Sequence, residues 1–292
     1  MKPSKTEAAQ AQIVSYFEAS EKKAYTDRDL GQVLSENRQT WKLKTISVVK
    51  FLQQLQELQI IKPIELHCPL YGHKHIRYVF GSEIPIYQLG HTIKNRAYYS
   101  HQSALYLQGL TNKQSETIYI NAEQSEKPQG KSSLVQSNID RAFQNQGRKS
   151  NYIFECENWQ IHVLNGKNTR NLGVEMVLTP HGSLPVTNLE RTLIDIVVRP
   201  GYTGGCQEVL EAYRNAKDKI SAYRLAEMLK QINYAYPYHQ AIGFYTERAG
   251  YDQTALTDLK KLGVNYDFYL DYGMKEKNFS KEWRIYYPNK LN

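Results

Sequence analysis

Between Thr187 and Tyr213 the chain reads Thr-Asn-Leu-Glu-Arg-Thr-Leu-Ile-Asp-Ile-Val-Val-Arg-Pro-Gly-Tyr-Thr-Gly-Gly-Cys-Gln-Glu-Val-Leu-Glu-Ala-Tyr, which sets a helix, a sharp stop and a second helix in one run. Leu189, Leu193, Ile196 and Val197 recur at helical spacing and define a buried face. Thr187 is expected to cap the helix, with Glu190 three residues on completing a capping box. Arg191 and Asp195 stand four apart, so they meet on another face. Spacing alone reads them as a surface ion pair worth a few tenths of a kcal/mol, with a phosphate-directed role as the alternative. Pro200-Gly201 ends the helix, Gly204-Gly205 permits positive φ or a close approach, and the next helix starts near Cys206.

The 292 residues suffice for two domains, and a hydrophobic content of 41% suffices for real cores. Charged residues make up 23%, and no apolar run reaches membrane-spanning length. The first ten residues lack the apolar core of a signal peptide, so the expected compartment is the cytoplasm. Cys68, Cys156 and Cys206 are far apart and odd in number, which suits free thiols. A net charge of +8 attracts polyanions, of which nucleic acid is the commonest in such a compartment.

The first 81 residues are expected to form a winged helix-turn-helix. Ile13, Val14 and Phe17 mark one side of a helix from Thr6 to Ala19. Thr26 caps a second from Asp27 to Glu36, with Leu30, Val33 and Leu34 inward and Asp27 and Asp29 in the first turn, where the helix dipole favours them. Thr45 caps a third running to Leu58 with Val48, Leu52 and Leu55 buried. Ile60–Leu66 and His75–Phe80 alternate apolar and polar residues around Pro69 and Gly72 and form a hairpin, the wing.

In such a fold the third helix enters the major groove and the wing touches the backbone. The expected DNA-binding residues are Lys42, Lys44 and Lys50 on phosphates, Thr45 and Ser47 on phosphate or base edges, Gln53 and Gln54 on adenine, and His73, Lys74 and Arg77 on the wing. Twelve Lys and Arg face eight Asp and Glu in this segment, and no acid lies between Lys42 and Lys50. A merely solvated helix face and a protein-binding winged helix are the alternatives. His67, Cys68, His73 and His75 are metal-ligand types, but without a paired cysteine no metal site is assigned.

Residues 82–97 form a connector whose Ile84, Ile86, Tyr87 and Leu89 imply packing. Residues 98–292 then read as a larger mixed α/β domain, so the chain as a whole is α+β. Ser100 caps a helix from His101 to Gln108, and Thr117–Ile120 is a strand. A polar loop from Asn121 to Ser133 surrounds Pro128 and Gly130, and a helix runs to Gln144. Tyr152–Cys156 and Gln160–Leu164 form a hairpin, and Gly173–Leu178 is a further strand. Helices follow from Ser221, Tyr238 and Asp252, and Tyr266–Leu270 and Glu282–Tyr287 close the chain as strands. Tyr234, Tyr236, Tyr238, Tyr245 and Tyr251 are either interface anchors or amphipathic core edges.

Three stretches resemble the AbiEi family of type IV toxin–antitoxin antitoxins and regulators. They are Ser100-His-Gln-Ser-Ala-Leu with Gly109-Leu, Glu190-Arg-Thr-Leu-Ile-Asp with Arg199-Pro and Gly204-Gly, and Ala241-Ile-Gly-Phe-Tyr-Thr-Glu-Arg-Ala-Gly. The likeness runs from the winged helix to about Gly250, is strongest at Glu190 to Gly205 and is weakest in the tail. It implies an antitoxin-domain motif of Ser100, His101, Glu190, Arg191, Asp195, Arg199, Gly204 and Gly205. It also implies two partners, double-stranded promoter repeats and a cognate nucleotidyltransferase-like toxin, and no cofactor.

No Gly-rich phosphate loop, nucleophile elbow or His-Glu-x-x-His helix is present, so no catalytic residue is assigned and the chain is expected not to be an enzyme. Glu155, Glu157, Asp195, Glu208, Asp267 and Asp271 are available to a metal-dependent nuclease, but no tight Asp…Glu-x-Lys spacing joins them. A nuclease or phosphotransfer enzyme and a plain regulator with a dimerising or ligand-sensing second domain remain the competing readings.

Overall fold

The structure is a computed structural model and describes residues 4–126 and 133–291. The expected loop residues Pro128 and Gly130, and Met1–Pro3 at the N-terminus, lie outside the described residues. The architecture is mixed α+β and is built on three hydrophobic clusters.

The first cluster is N-terminal. The single helix expected from Thr6 is two helices, α1 (Lys5–Ala8), closed by a Ser4/Glu7 capping box, and α2 (Gln10–Ala19), which restarts at Ala9. A short strand β1 (Ala24–Tyr25) precedes α3 (Asp27–Asn37), which is capped by Thr26 as its sequence requires. α4 (Val48–Glu57) starts later than expected. Its cap is Ser47, whose hydroxyl accepts from the Lys50 N–H, and Thr45 stays in the preceding turn. Phe51, Leu52 and Leu55 fill the core, while Val48 is only half-buried. The turn between α3 and α4 is held by the Arg38 guanidinium, which donates to the carbonyls of Leu43, Lys44 and Ile46.

The hairpin β2 (Lys62–Cys68) and β3 (His73–Val79) pairs in the expected region, with Cys68 opposite His73 and Lys62 opposite Val79. It does not stand apart. Further along come α5 (Ile86–His91), β4 (Tyr98–Tyr99), α6 (His101–Leu107), β5 (Thr117–Asn121), α7 (Gln136–Gln144), β6 (Ile153–Cys156), β7 (Trp159–Leu164), β8 (Val174–Thr179) and β9 (Gly182–Thr187). Nine strands form one sheet in the order β1-β3-β2-β6-β7-β5-β4-β9-β8. The β2–β6 pairing, with His67 opposite Glu155, carries the strand ladder across residue 81.

One cluster packs Leu66, Cys68 and Val79 of the hairpin with Ile86, Tyr87 and Leu89 of α5 and with the central strands. Gln88 closes the same join. Its Oε1 accepts from the Lys23 N–H at 2.6 Å and the Ala24 N–H at 3.2 Å, and its Nε2 donates to the Glu21 and His181 carbonyls at 2.9 and 3.0 Å.

The remaining cluster is helical: α8 (Leu189–Val198), α9 (Cys206–Ala216), α10 (Ala222–Ile232), α11 (Tyr238–Arg248) and α12 (Gln253–Lys260). It is closed by a three-stranded sheet of β10 (Phe268–Tyr269), β12 (Ile285–Pro288) and β11 (Lys277–Ser280). α8 ends as its sequence demands. Pro200 opens a short 3₁₀ turn to Tyr202, and Gly204 and Gly205 take φ of 107° and 109°, which side chains avoid. Its start differs from expectation: Thr187 belongs to β9, and Asn188 is the cap, accepting from the Arg191 N–H at 2.9 Å. No helix among the described residues is long and apolar enough to cross a membrane.

Candidate functional site

Two regions carry the expected site residues, and the fold treats them differently. Around the start of α4, Lys42, Lys44, Thr45, Ser47, Lys50 and Gln53 are all exposed. Lys42 sits at φ 58°, a left-handed turn that redirects the chain before the helix. Gln53 donates to Glu57 one turn on, at 2.8 Å. Gln54 does not belong to this face: its Oε1 accepts from the Thr6 hydroxyl at 2.6 Å and holds α1 against α4.

The hairpin residues expected to touch DNA all have partners within the protein, although His73 and Lys74 stay exposed. Arg77 is half-buried and donates to the Thr92 hydroxyl and carbonyl at 2.7 and 2.8 Å, tying β3 to the end of α5. Lys74 pairs with Glu65 at 2.9 Å on the neighbouring strand, and His73 lies 3.2 Å from the Tyr152 hydroxyl. His75 stacks on Phe154, and burial lowers its pKa.

The second region is a cleft of about 1320 Å³. It opens where β5 and β7, a parallel pair, reach their carboxyl ends at Asn121 and Leu164. The end of α8 and the turn between α10 and α11 form its other walls. Ligands in open α/β sheets bind beyond the carboxyl ends of such strands. His101, Arg191, Asp195 and Arg199 of the family-like motif all line it. His101 stands ninety residues before Arg191 in sequence, and only the tertiary fold brings it to the other three.

Arg191 and Asp195 are not a surface pair. The Arg191 Nε donates to Asp195 Oδ1 at 2.8 Å, with side chains 3% and 7% exposed. Arg191 Nη1 also donates to the Thr169 hydroxyl and the Leu172 carbonyl, both at 2.9 Å, and its Nη2 reaches the Tyr98 hydroxyl at 3.5 Å. Tyr98 in turn donates to Glu123 at 3.1 Å, and Asn121 donates to Tyr98. The Thr169 and Asn171 N–H groups close on Glu123 at 2.8 and 3.2 Å.

The strong donors of Arg191 are therefore spent inside the protein, and the loop around residues 165–172 is pinned to α8. Burial opposes the Arg191 cation, but Asp195 foremost, with Tyr98 and Tyr234, raises its pKa and keeps it charged. Burial pushes the Asp195 carboxyl up against the pull of Arg191. Glu190, also buried, meets Arg224 at 2.8 Å as an ion pair and takes no part in capping.

His101 and Arg199 differ from that pair. His101 sits at φ 53°, a left-handed conformation that costs about 1–3 kcal/mol outside glycine. Its Nδ1 lies 2.9 Å from the Ser100 hydroxyl, and its ring meets the Tyr202 edge. Burial first, then Arg191 and Arg199, lowers its pKa to about 3, so the imidazole is neutral. Arg199 donates one N–H to the Tyr272 hydroxyl at 2.6 Å and lies over that ring. Its other guanidinium nitrogens have no partner among the described residues.

Sequence reading missed Arg148 and Lys149 on one rim, exposed and without an acidic partner among the described residues. Their signal is present as a basic doublet after Gly147 in an otherwise polar loop. It also missed Tyr98, Asn121, Glu123 and Thr169, polar residues with no spacing to mark them. Of the tyrosine cluster, Tyr234, Tyr236 and Tyr238 line the cleft, whereas Tyr245 is sealed in the core. Among the described residues no group of three or more His, Cys, Asp or Glu could hold a metal.

No protein-family model and no curated protein matches the sequence. Among solved structures, the chain is similar to the RV2827C protein from Mycobacterium tuberculosis, with a TM-score of 0.60 and 13% identity over 97% of this chain and 92% of that one. At that identity the likeness is one of fold.

Proposed function

We propose that this protein is a DNA-binding antitoxin of the AbiEi type. Its first 81 residues act as a winged helix on repeats in their own promoter and repress the operon. The domain from residue 98 counters a nucleotidyltransferase-like toxin. It works in the cytoplasm by binding and not by catalysis.

The observation that carries the DNA half is the face around α4. Two helices, α3 and α4, joined by the connection 38–47, precede a hairpin, and Lys42, Lys44 and Lys50 stand exposed where α4 begins, with no acid between them. That is where a recognition helix presents its N-terminal residues to the groove. Support for the antitoxin half is the AbiEi-like motif, whose His101, Arg191, Asp195 and Arg199 meet at one cleft. The cleft also favours a second reading, a winged-helix regulator whose larger domain senses a ligand.

Binding of the full chain to its upstream DNA, measured against salt, tests the first half. Lys44→Ala with Lys50→Ala is expected to reduce the slope of log affinity against log salt by about 2, at about 0.9 per lost phosphate contact. An unchanged slope removes α4 from the interface. Co-expression with the adjacent gene tests the second half: rescue of growth supports an antitoxin, and failure to rescue leaves the regulator.

A further inference from the structure

We propose that the cleft beyond β5 and β7 is a nucleotide-binding site, with phosphate held by Arg199, Lys149 and Arg148 and the base laid against Tyr234 and Tyr202. Five cationic side chains and only two acidic ones, Glu126 and Asp195, line the cleft. Two of the five are committed elsewhere. Arg191 spends its donors on Asp195 and the 165–172 loop, and Lys167 donates to the carbonyls of Ile232 and Asn233.

Asp195 is paired with Arg191 and Glu126 with Arg170 at 3.4 Å, so Arg199, Lys149 and Arg148 are left as a surplus of positive charge on the lining. A guanidinium whose orientation is already fixed loses little freedom on meeting a phosphate, and the Tyr272 contact fixes Arg199 in that way. The doublet is held too: the Ser150 N–H donates to the Tyr202 hydroxyl at 2.8 Å, and the Ser150 hydroxyl donates to the Val163 carbonyl at 2.7 Å.

Charge alone would fit any small anion, and the tyrosines narrow the class. Tyr202, Tyr234, Tyr236, Tyr238 and Tyr272 line the same cleft. Stacking a base on an aromatic ring contributes about 1–3 kcal/mol whatever the base. A volume of about 1320 Å³ exceeds the usual 300–1000 Å³ of small-ligand pockets, so base, sugar and phosphates are accommodated together. Neutral His101 at the floor offers a hydrogen-bonding nitrogen without adding charge. The strained backbone that places it there is the kind of feature that clusters at ligand sites. The nucleotide comes from one of two sources, a free nucleoside triphosphate or the end of a single RNA strand.

Calorimetric titration of the full-length protein with ATP, UTP, inorganic phosphate and a single-stranded pentaribonucleotide tests this. Nucleotide or pentamer is expected to bind at least about ten-fold more tightly than phosphate. Arg148→Glu with Lys149→Glu, both on the surface, should weaken that binding at least about ten-fold with an unchanged melting curve. Tyr234→Leu should weaken nucleotide but not phosphate, and Lys44→Ala with Lys50→Ala should change neither, which separates this site from the α4 face. Preference for ATP or UTP assigns the free nucleotide, and preference for the pentamer assigns the strand end. The proposal is overturned if neither binds at millimolar concentration, if charge reversal leaves the affinity unchanged, or if phosphate binds as tightly as nucleotide.

Discussion

The Arg191 guanidinium and the Asp195 carboxylate meet at 2.8 Å inside the protein, one helical turn apart and almost sealed from water. Their spacing is that of an exposed helical pair, yet Tyr98 of β4 and the 165–172 loop pack against Arg191 and the pair is buried. An exposed pair contributes about 0–1 kcal/mol, whereas removing one partner of a buried pair strands a charge and costs about 3–5 kcal/mol. Asp195→Ala is expected to cost an amount in the second range by chemical denaturation. Arg191→Met with Asp195→Leu together should cost less than Asp195→Ala alone, because no charge is left behind. A loss under about 1 kcal/mol for Asp195→Ala would falsify the buried assignment.

Gln88 ties the N-terminal helices to the sheet with four hydrogen bonds to backbone groups of Glu21, Lys23, Ala24 and His181. Gln88→Leu keeps the bulk but leaves those groups without the partner they have. A loss of about 1–3 kcal/mol is expected, the cost of an unsatisfied buried polar group. Amide exchange at Lys23 and Ala24 should quicken relative to Leu30. Protection unchanged at both amides would show that the join is held by the apolar cluster alone.

Gly243 in α11 faces Trp283. A Cβ on Gly243 would fall 2.1 Å from the indole ring, and Trp283 is fully buried and donates to Glu247 at 3.2 Å. The ring has no free direction in which to move, so Gly243→Ala should destabilise by about 1–3 kcal/mol or more despite the better helix propensity of alanine. Trp283→Leu with Gly243→Ala should recover part of the loss. If Gly243→Ala raised the melting temperature, the close packing would be refuted.

His101 makes stability depend on pH. Its pKa is lowered from 6.5 to about 3, chiefly by burial, so the unfolded chain binds its proton first as pH falls. The contribution is complete above pH 6.5 and is lost progressively as pH falls toward 3. His101→Asn removes the titration, and asparagine is among the residues that tolerate positive φ. Over the upper part of this window, between pH 6.5 and 5, the wild-type denaturation midpoint should fall more steeply than that of the variant. Parallel curves would rule out a neutral buried imidazole.

Local signals in the sequence carried much of the secondary structure. Thr26 with Asp29 capped α3, Pro200 stopped α8 at its expected place, and Gly204 and Gly205 took the backbone only glycine adopts freely. Signals failed where two local choices compete. Thr45 and Ser47 are both good caps, as are Thr187 and Asn188, and the strand or turn entering from the N-terminal side selected the later residue each time. β9 was missed because Pro185 interrupts its pattern. It survives there because Pro185 faces only Met176 in the described ladder, and β4 on the other side pairs through Val186 alone.

The sequence by itself determined α3 with its Thr26 cap, the exposed lysines around the start of α4 and the helix–stop–helix run at residues 187–213, because each rests on interactions within a few residues. Only the tertiary structure decided what those pieces face. It turned Gln54 and Arg77 inward, buried Arg191 with Asp195, and gathered His101, Arg199, Lys149 and the tyrosines around one cleft. Burial and charge neighbours come from chain segments far apart in sequence, and no local spacing encodes them.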